Sequence, residues 1–119
     1  MKKTLVIGAS LNPQRYSNLA ILRLRQYNHP VLAIGLRQGT IGDVIIETGH
    51  PLFNDVDTVT LYINPERQTE YYEYIISLKP LRVIFNPGTE NPGLEKKLTD
   101  AGIESVEACT LVLLSIKQY

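Results

Sequence analysis

The 119-residue sequence is 44% apolar and 20% charged, which is typical of one folded domain, here spanning residues 1–119. Twelve basic and twelve acidic side chains give zero net charge, and this excludes the excess of Lys and Arg of a nucleic-acid-binding protein. One cysteine excludes an intrachain disulfide. No apolar run is long enough for a signal peptide or a membrane span, so we expect a cytoplasmic protein with no membrane partner.

Apolar, β-branched runs alternate with helical patterns along the chain. The predicted strands are residues 5–7, 31–34, 44–46, 58–63, 81–85 and 103–106. The predicted helices are residues 17–27 with Ser17 as N-cap, 65–79 after Asn64, 92–101 before Gly102, and 110–116. Between residues 35 and 57 the glycines leave no room for a crossover helix, so the weak run near residue 45 is expected to be an edge strand.

This alternation predicts an α/β fold with a doubly wound parallel sheet and helices on both faces. Counting the predicted strands along the chain, we expect the strand order 3-2-1-4-5-6. In such a sheet the ligand lies beyond the carboxyl ends of the strands, next to strand 1. That rule selects the loops at residues 8–17, 35–40, 63–66, 86–91 and 107–110.

The first of these loops has the features of a phosphate-binding corner. Gly8 allows a tight turn, Ser10 and Ser17 offer hydroxyls, and Arg15 offers positive charge next to a helix N-terminus. It is not the G-x-G-x-x-G loop of dinucleotide enzymes, because serine and Pro13 replace two of the glycines. The alternative is an ordinary strand-to-helix loop with a surface arginine.

The second loop narrows the ligand class. Enzymes that use NAD place an acid near the end of strand 2 to bind the ribose 2′-hydroxyl. Here the strand is followed by Gly35-Leu36-Arg37, which contains an arginine and no acid. An arginine suits a phosphorylated ribose, which means the 2′-phosphate of NADP or the 3′-phosphate of coenzyme A (CoA). A solvated arginine is the alternative.

The remaining loops carry no recognisable reaction centre. Asn64 and Asn86 stand beside prolines and serve either as caps and turns or as lining of a pocket. His29 and His50 each precede a proline, no cluster has metal-ligand spacing, and Cys109 is interpreted as a buried free thiol. The sequence therefore predicts a binding site without catalytic residues and without a metal.

These residues together resemble a known family. Val6-Ile-Gly-Ala-Ser10 followed by Pro13-x-Arg15-x-Ser17 resembles the opening of small single-domain CoA-binding proteins, which are similar to the N-terminal domain of the succinyl-CoA synthetase α subunit. The resemblance covers nearly the whole chain and implies a Rossmann-like fold that holds CoA. It implies these binding residues: Gly8, Ala9, Ser10, Asn12, Pro13, Arg15, Tyr16, Ser17, Gly35, Leu36, Arg37, Ile63, Asn64 and Asn86.

Three hypotheses follow. The first is a domain that binds CoA or an acyl-CoA, a nucleotide-bearing small molecule, without catalysing a reaction. The second is an NADP-binding oxidoreductase or a subunit of one. The third is an interaction module without a ligand, in which the apolar helix near residues 111–114 packs against a second copy or an unknown protein partner.

Overall fold

The computed structural model describes all residues from Met1 to Tyr119. One seven-stranded sheet has the order β3-β4-β2-β1-β5-β6-β7. The strands are β1 (Thr4–Ala9), β2 (Val31–Gly35), β3 (Gly39–Ile41), β4 (Val44–Glu47), β5 (Thr58–Leu61), β6 (Arg82–Phe85) and β7 (Glu104–Glu107). The helices are α1 (Tyr16–Gln26), α2 (Pro65–Gln68), α3 (Tyr72–Leu78), α4 (Pro92–Asp100) and α5 (Thr110–Ser115), with a 3₁₀ turn (Thr69–Tyr71) between α2 and α3.

Strand β1 lies at the centre of the sheet and pairs in parallel with β2 and β5. Its apolar run is fully buried because both faces of the sheet are covered by helices. Leu5 and Ile7 point into one core, which contains apolar side chains of α3 and α4, while Val6 points into the other with side chains of α1 and α5. This alternation fixes the register of the strand on which the loop after Gly8 is built.

The predicted order of six parallel strands is confirmed, but the expected edge strand is not the edge. A short strand, β3, pairs antiparallel with β4 on its outer side, with Ile41 opposite Val44. The two strands are joined by Gly42 and Asp43 alone, and Gly42 has φ +58°. Because this two-residue turn needs a positive φ, Gly-Asp between β-branched residues is the hairpin signal that the prediction overlooked.

Two helix predictions also need correction. Helix α1 begins at Tyr16 with Arg15 at the N-cap position and no capping side chain, so Ser17 lies inside the helix and does not cap it. The single helix expected over residues 65–79 is divided into α2, the 3₁₀ turn and α3. The predicted cap at Asn64 is confirmed, since its side-chain oxygen accepts a hydrogen bond from the Arg67 N–H at 2.9 Å.

The helices are short, and none has the length and apolar character that a membrane-crossing helix requires. On the last helix, α5, Leu114 is buried and Val112 is 52% exposed, and Ile116, directly after the helix, is 56% exposed.

Candidate functional site

A groove of about 560 Å³ opens at the carboxyl ends of the central strands. It lies where the strand order reverses, between the β1–α1 loop and the ends of β2 and β5, the position expected for a ligand in this type of sheet. Its lining consists of Gly8, Ala9, Ser10, Leu11, Asn12, Arg15, Tyr16, Ser17, Leu36, Arg37, Tyr62, Ile63, Arg67 and Pro87.

The floor of the groove depends on two glycines. Gly8 has φ +98° and forms the irregular step in the pairing of β1 with β2. A Cβ at Gly8 would approach the Ile63 side chain to 2.8 Å and the Tyr62 backbone to 2.9 Å. At Gly35 a Cβ would collide with the carbonyl oxygen of Ala9. Both glycines therefore let neighbouring strand ends approach closely, and the groove owes its shape to that approach.

The loop after β1 is held by its own polar groups. The Ser10 hydroxyl accepts from the Asn12 N–H at 3.1 Å, and the Asn12 side chain accepts from the Gln14 N–H at 3.0 Å. The side-chain amide of the buried Asn18, in the first turn of α1, donates to the Ser10 carbonyl at 2.9 Å. These bonds fix the loop while leaving its outer face open.

The same loop places the N-terminus of α1 beside the groove. No side chain caps this helix, and its first turn contains no acid. The N–H groups of Asn18 and Leu19 donate to the Arg15 carbonyl, so it is the earlier N–H groups of the helix that remain for a ligand. Uncapped N–H groups and the positive end of the helix dipole favour a bound anion.

Three arginines make the groove electropositive. Arg15, Arg37 and Arg67 all line it, and no Asp or Glu does. The ion pairs of the structure are Arg25 with Asp43 and Lys96 with Asp100, so none of the groove arginines is neutralised by a partner. A chain with zero net charge thus concentrates three unpaired positive charges around one cavity.

Asn86, in contrast, does not line the groove. Its buried side-chain amide donates to the Thr60 hydroxyl at 2.6 Å and to the Leu61 carbonyl at 2.9 Å, and its oxygen accepts from the Thr110 N–H at 2.9 Å. All the atoms of its amide that can bond are engaged inside the protein. Asn86 therefore ties β5, β6 and α5 together, which is a structural role.

A second buried amide, Gln68, joins the loops that follow β5 and β6. Its nitrogen donates to the carbonyl oxygens of Ile63 and Thr89 at 2.9 and 2.8 Å, and its oxygen accepts from Asn91 at 2.9 Å. Because isolated polar groups are costly to bury, such a fully bonded cluster holds its surroundings in one arrangement. It fixes the backbone on which Ile63 and Arg67 reach the groove.

Most of the predicted binding residues are brought together. Ten line the groove: Gly8, Ala9, Ser10, Asn12, Arg15, Tyr16, Ser17, Leu36, Arg37 and Ile63. Four lie outside its lining: Pro13 on the outer surface of the loop, Gly35 under Ala9, Asn64 as the cap of α2, and Asn86 in the interior. The loop at residues 107–110, also expected on the ligand side, contributes no lining residue.

Four lining residues were missed: Leu11, Tyr62, Arg67 and Pro87. The sequence pattern predicts Tyr62 as part of a strand, but β5 ends at Leu61, and Tyr62 lines the groove while its side chain packs against the core on the α1 and α5 side of the sheet. Its hydroxyl is buried without a hydrogen-bond partner, and burial raises the pKa of Tyr62. The sequence pattern predicts Arg67 only as part of a helix. Because three residues alone separate the end of β5 from the start of α2, the first turn of α2 lies near the carboxyl edge of the sheet and Arg67 lines the groove. An arginine two residues after the helix-opening Pro65 was the available signal.

No His, Cys, Lys, Asp or Glu lines the groove. Cys109 is a half-buried free thiol outside it. His29 lies at the opposite edge of the sheet, where its Nδ1 accepts from the Lys2 N–H at 3.0 Å, and His50 packs against Tyr71 and Tyr74.

A mostly parallel sheet of this order, with helices on both faces and a groove at the reversal point, defines a Rossmann-like α/β protein. The chain belongs to the CoA-binding domain family, whose model matches residues 2–115. No curated protein matches the chain.

Three solved structures are similar over nearly the whole chain. A crystal structure of an uncharacterized protein is 50% identical, with 100% of this chain and 98% of that one covered and a TM-score of 0.97. A protein from Thermus thermophilus is 23% identical, with 99% and 90% covered and a TM-score of 0.87. A hypothetical protein from Pyrococcus horikoshii OT3 is 24% identical, with 93% and 80% covered and a TM-score of 0.84. The last two show the fold alone.

Proposed function

We propose that this protein binds CoA or an acyl-CoA in the groove and catalyses no reaction by itself. The observation that carries the proposal is the set of three unpaired arginines around a cavity without an acid. CoA carries a pyrophosphate and a ribose 3′-phosphate, and charge-assisted bonds from guanidinium groups to phosphate are among the strongest polar contacts that proteins make. Membership of the CoA-binding domain family supports the same ligand.

The proposal places the pyrophosphate at the N-terminus of α1, where Arg15 and the uncapped N–H groups meet the backbone of the β1–α1 loop. The 3′-phosphoadenosine then lies at the end of β2, against Leu36 and Arg37, and the rest of the ligand extends toward β5 and Ile63. Asn12, Tyr16 and Ser17 complete the contacts of the first loop.

The composition of the lining supports binding without catalysis. General acid–base and nucleophilic catalysis use side chains of His, Cys, Lys, Asp, Glu, Ser and Tyr. Serines and tyrosines do line the groove, but no His, Lys, Asp or Glu lines it to act as the base that activates a hydroxyl. On this proposal the protein is a carrier or a sensor, and a different protein acts on the bound ligand or responds to it.

A melting screen with CoA, dephospho-CoA, NADP and NAD tests the proposal, with mass spectrometry of any small molecule that co-purifies. At a CoA concentration 100 times Kd, binding adds about 2.7 kcal/mol to the free energy of unfolding. For a chain of this size we expect a rise in Tm of roughly 10 °C. An unchanged Tm at saturating CoA contradicts the proposal, and a larger rise with NADP than with CoA identifies an NADP-binding protein instead.

A further inference from the structure

The loop that carries Arg37 is framed by two glycines. This β2–β3 loop consists of Leu36, Arg37 and Gln38, all exposed, and it connects Gly35, the last residue of β2, with Gly39, the first residue of β3. Neither glycine has a positive φ, so neither is there because a tight turn needs it. A glycine within or beside a strand then marks a place where another part of the chain comes very close.

Both close approaches come from the loop after β1. A Cβ at Gly35 would collide with the carbonyl oxygen of Ala9, and a Cβ at Gly39 would lie 2.8 and 2.9 Å from the two methyl carbons of Leu11. Leu11 therefore packs directly on the backbone of Gly39. The β2–β3 loop is thus held against the β1–α1 loop at both ends, by a backbone contact at one end and by a leucine side chain at the other.

The contact between Leu11 and Gly39 has an anchor on each side. Next to Leu11, the Ser10 carbonyl accepts from the Asn18 side chain at 2.9 Å, which ties this loop to the first turn of α1. Gly39 pairs with Ile46 of β4, which ties it to the sheet. The contact therefore links the N-terminus of α1 to the β2–β3 loop.

The proposed function gives the groove two phosphate sites, one at the N-terminus of α1 and the other at Arg37. Because the contact between Leu11 and Gly39 links these two sites, it fixes the position of Arg37 relative to the helix. A ligand whose two phosphates match that arrangement binds without first ordering the β2–β3 loop. Without the contact, ordering the loop would use up part of the free energy of the bond to the ribose phosphate.

Resting on the proposed function, we infer that Leu11 is a specificity-determining residue: seated on Gly39, it positions Arg37 to distinguish a ligand with a phosphorylated ribose from one without it. CoA and dephospho-CoA test this inference, because they differ only in the ribose 3′-phosphate. We expect the calorimetric Kd of the wild-type protein for dephospho-CoA to exceed that for CoA by at least about tenfold. This Kd ratio should depend on the contact between Leu11 and Gly39.

Gly39→Ala breaks the contact from the side that does not line the groove. The backbone at Gly39 has no positive φ, and the three atoms nearest to the added methyl group all belong to the flexible Leu11 side chain. We therefore expect the variant to fold with Leu11 displaced, and its Kd ratio to fall below about threefold, since charge-assisted bonds weaken when their geometry deteriorates. Thr40→Ala, at the next, exposed position of β3, is the matched control and should keep the wild-type ratio.

Two further backgrounds show whether the contact acts through Arg37. In Arg37→Gln, the addition of Gly39→Ala should not lower the Kd ratio further, because the group that it positions is already absent. In Arg23→Gln, which changes an exposed arginine of α1 outside the groove, Gly39→Ala should lower the ratio as it does in the wild type. Leu11→Ala, which removes the contact without a collision, should lower the ratio too, and it decides the question if Gly39→Ala does not fold.

A wild-type Kd ratio in both Gly39→Ala and Leu11→Ala overturns the inference and leaves the proposed function standing. An equal loss of affinity for CoA and dephospho-CoA in these variants also overturns it, because Leu11 then shapes the groove without acting on Arg37. Equal affinity of the wild-type protein for the two compounds defeats the inference while CoA binding stands. If neither compound binds, the proposed function itself fails and the inference fails with it.

Discussion

Asn86 and Arg37 show how differently two polar residues next to strand ends are used. The Asn86 amide is buried and bonded on all sides to the protein, so it stabilises the end of the sheet. The Arg37 guanidinium is exposed, lines the groove and has no ion-pair partner. The sequence places both residues correctly beyond the strands, but burial decides which of them is available to a ligand.

His29 makes the stability of the protein depend on pH. Burial, with the charges of the N-terminus, Lys2 and Arg82 around it, lowers the pKa of His29, against an opposing effect of Asp57. Tyr119 covers its ring at a centroid distance of 4.9 Å. The folded state therefore favours neutral imidazole, whose Nδ1 accepts the Lys2 N–H.

We expect the free energy of unfolding to fall as the pH drops below about 6.5, the ordinary pKa of histidine, because the unfolded chain then takes up a proton that the folded chain resists. The free energy of unfolding stops falling once the pH is below the pKa of His29 in the folded state. Urea unfolding between pH 7.5 and 5 measures it. His29→Gln, which keeps an acceptor for Lys2, should show a weaker pH dependence, and an identical pH profile for the two proteins would refute this account.

At the scale of secondary-structure elements, the decisive feature is the turn from β1 into the loop before α1. Gly8 there combines a φ of +98° with close contact to the end of β5. Gly88, in the turn after β6, has a similar φ of +91°, but a Cβ there would meet no atom within 4 Å. Comparing a substitution at Gly88 with one at Gly8 therefore separates the cost of backbone strain, present at both positions, from the cost of a steric collision, present at Gly8 alone.

Gly88→Ala should lower the free energy of unfolding by about 1–3 kcal/mol, the cost of a non-glycine residue with unfavourable backbone angles. Gly8→Ala should lower it further, because the β1 and β5 ends must also move apart, and it should weaken CoA binding. Urea unfolding and calorimetry check both effects. Equal destabilisation by the two substitutions would show that the close approach at Gly8 carries no cost.

Element boundaries were predictable where local chemistry sets them. Asn64-Pro65 and Asn91-Pro92 both open helices as expected, because asparagine caps and proline suits the first turn. Strand β3 was missed because its three residues show almost no periodicity, and their strand conformation comes from pairing with β4. The groove position of Arg67 was missed for a similar reason, since it depends on where α2 starts relative to the sheet.

At the scale of the whole molecule, the net charge is zero, but the charged side chains are unevenly distributed over the surface. Three arginines surround one groove at the carboxyl edge of the sheet, and no acid lines it. Composition alone shows no overall excess of basic side chains, and only the fold brings residues 15, 37 and 67 to one cavity. The order of the parallel strands, which the sequence pattern did predict, is what makes this convergence possible.

The most direct test of the central claim is the ratio of the calorimetric Kd values for dephospho-CoA and CoA, which differ only in the ribose 3′-phosphate. A bond between charged groups contributes about 1.5–3 kcal/mol, so we expect the wild-type protein to bind CoA at least tenfold more tightly. Arg37→Gln should abolish the difference, and Arg23→Gln should preserve it. Equal affinity of the wild-type protein for the two compounds would contradict the assignment of the phosphorylated ribose to Arg37, and binding of neither would contradict the account as a whole.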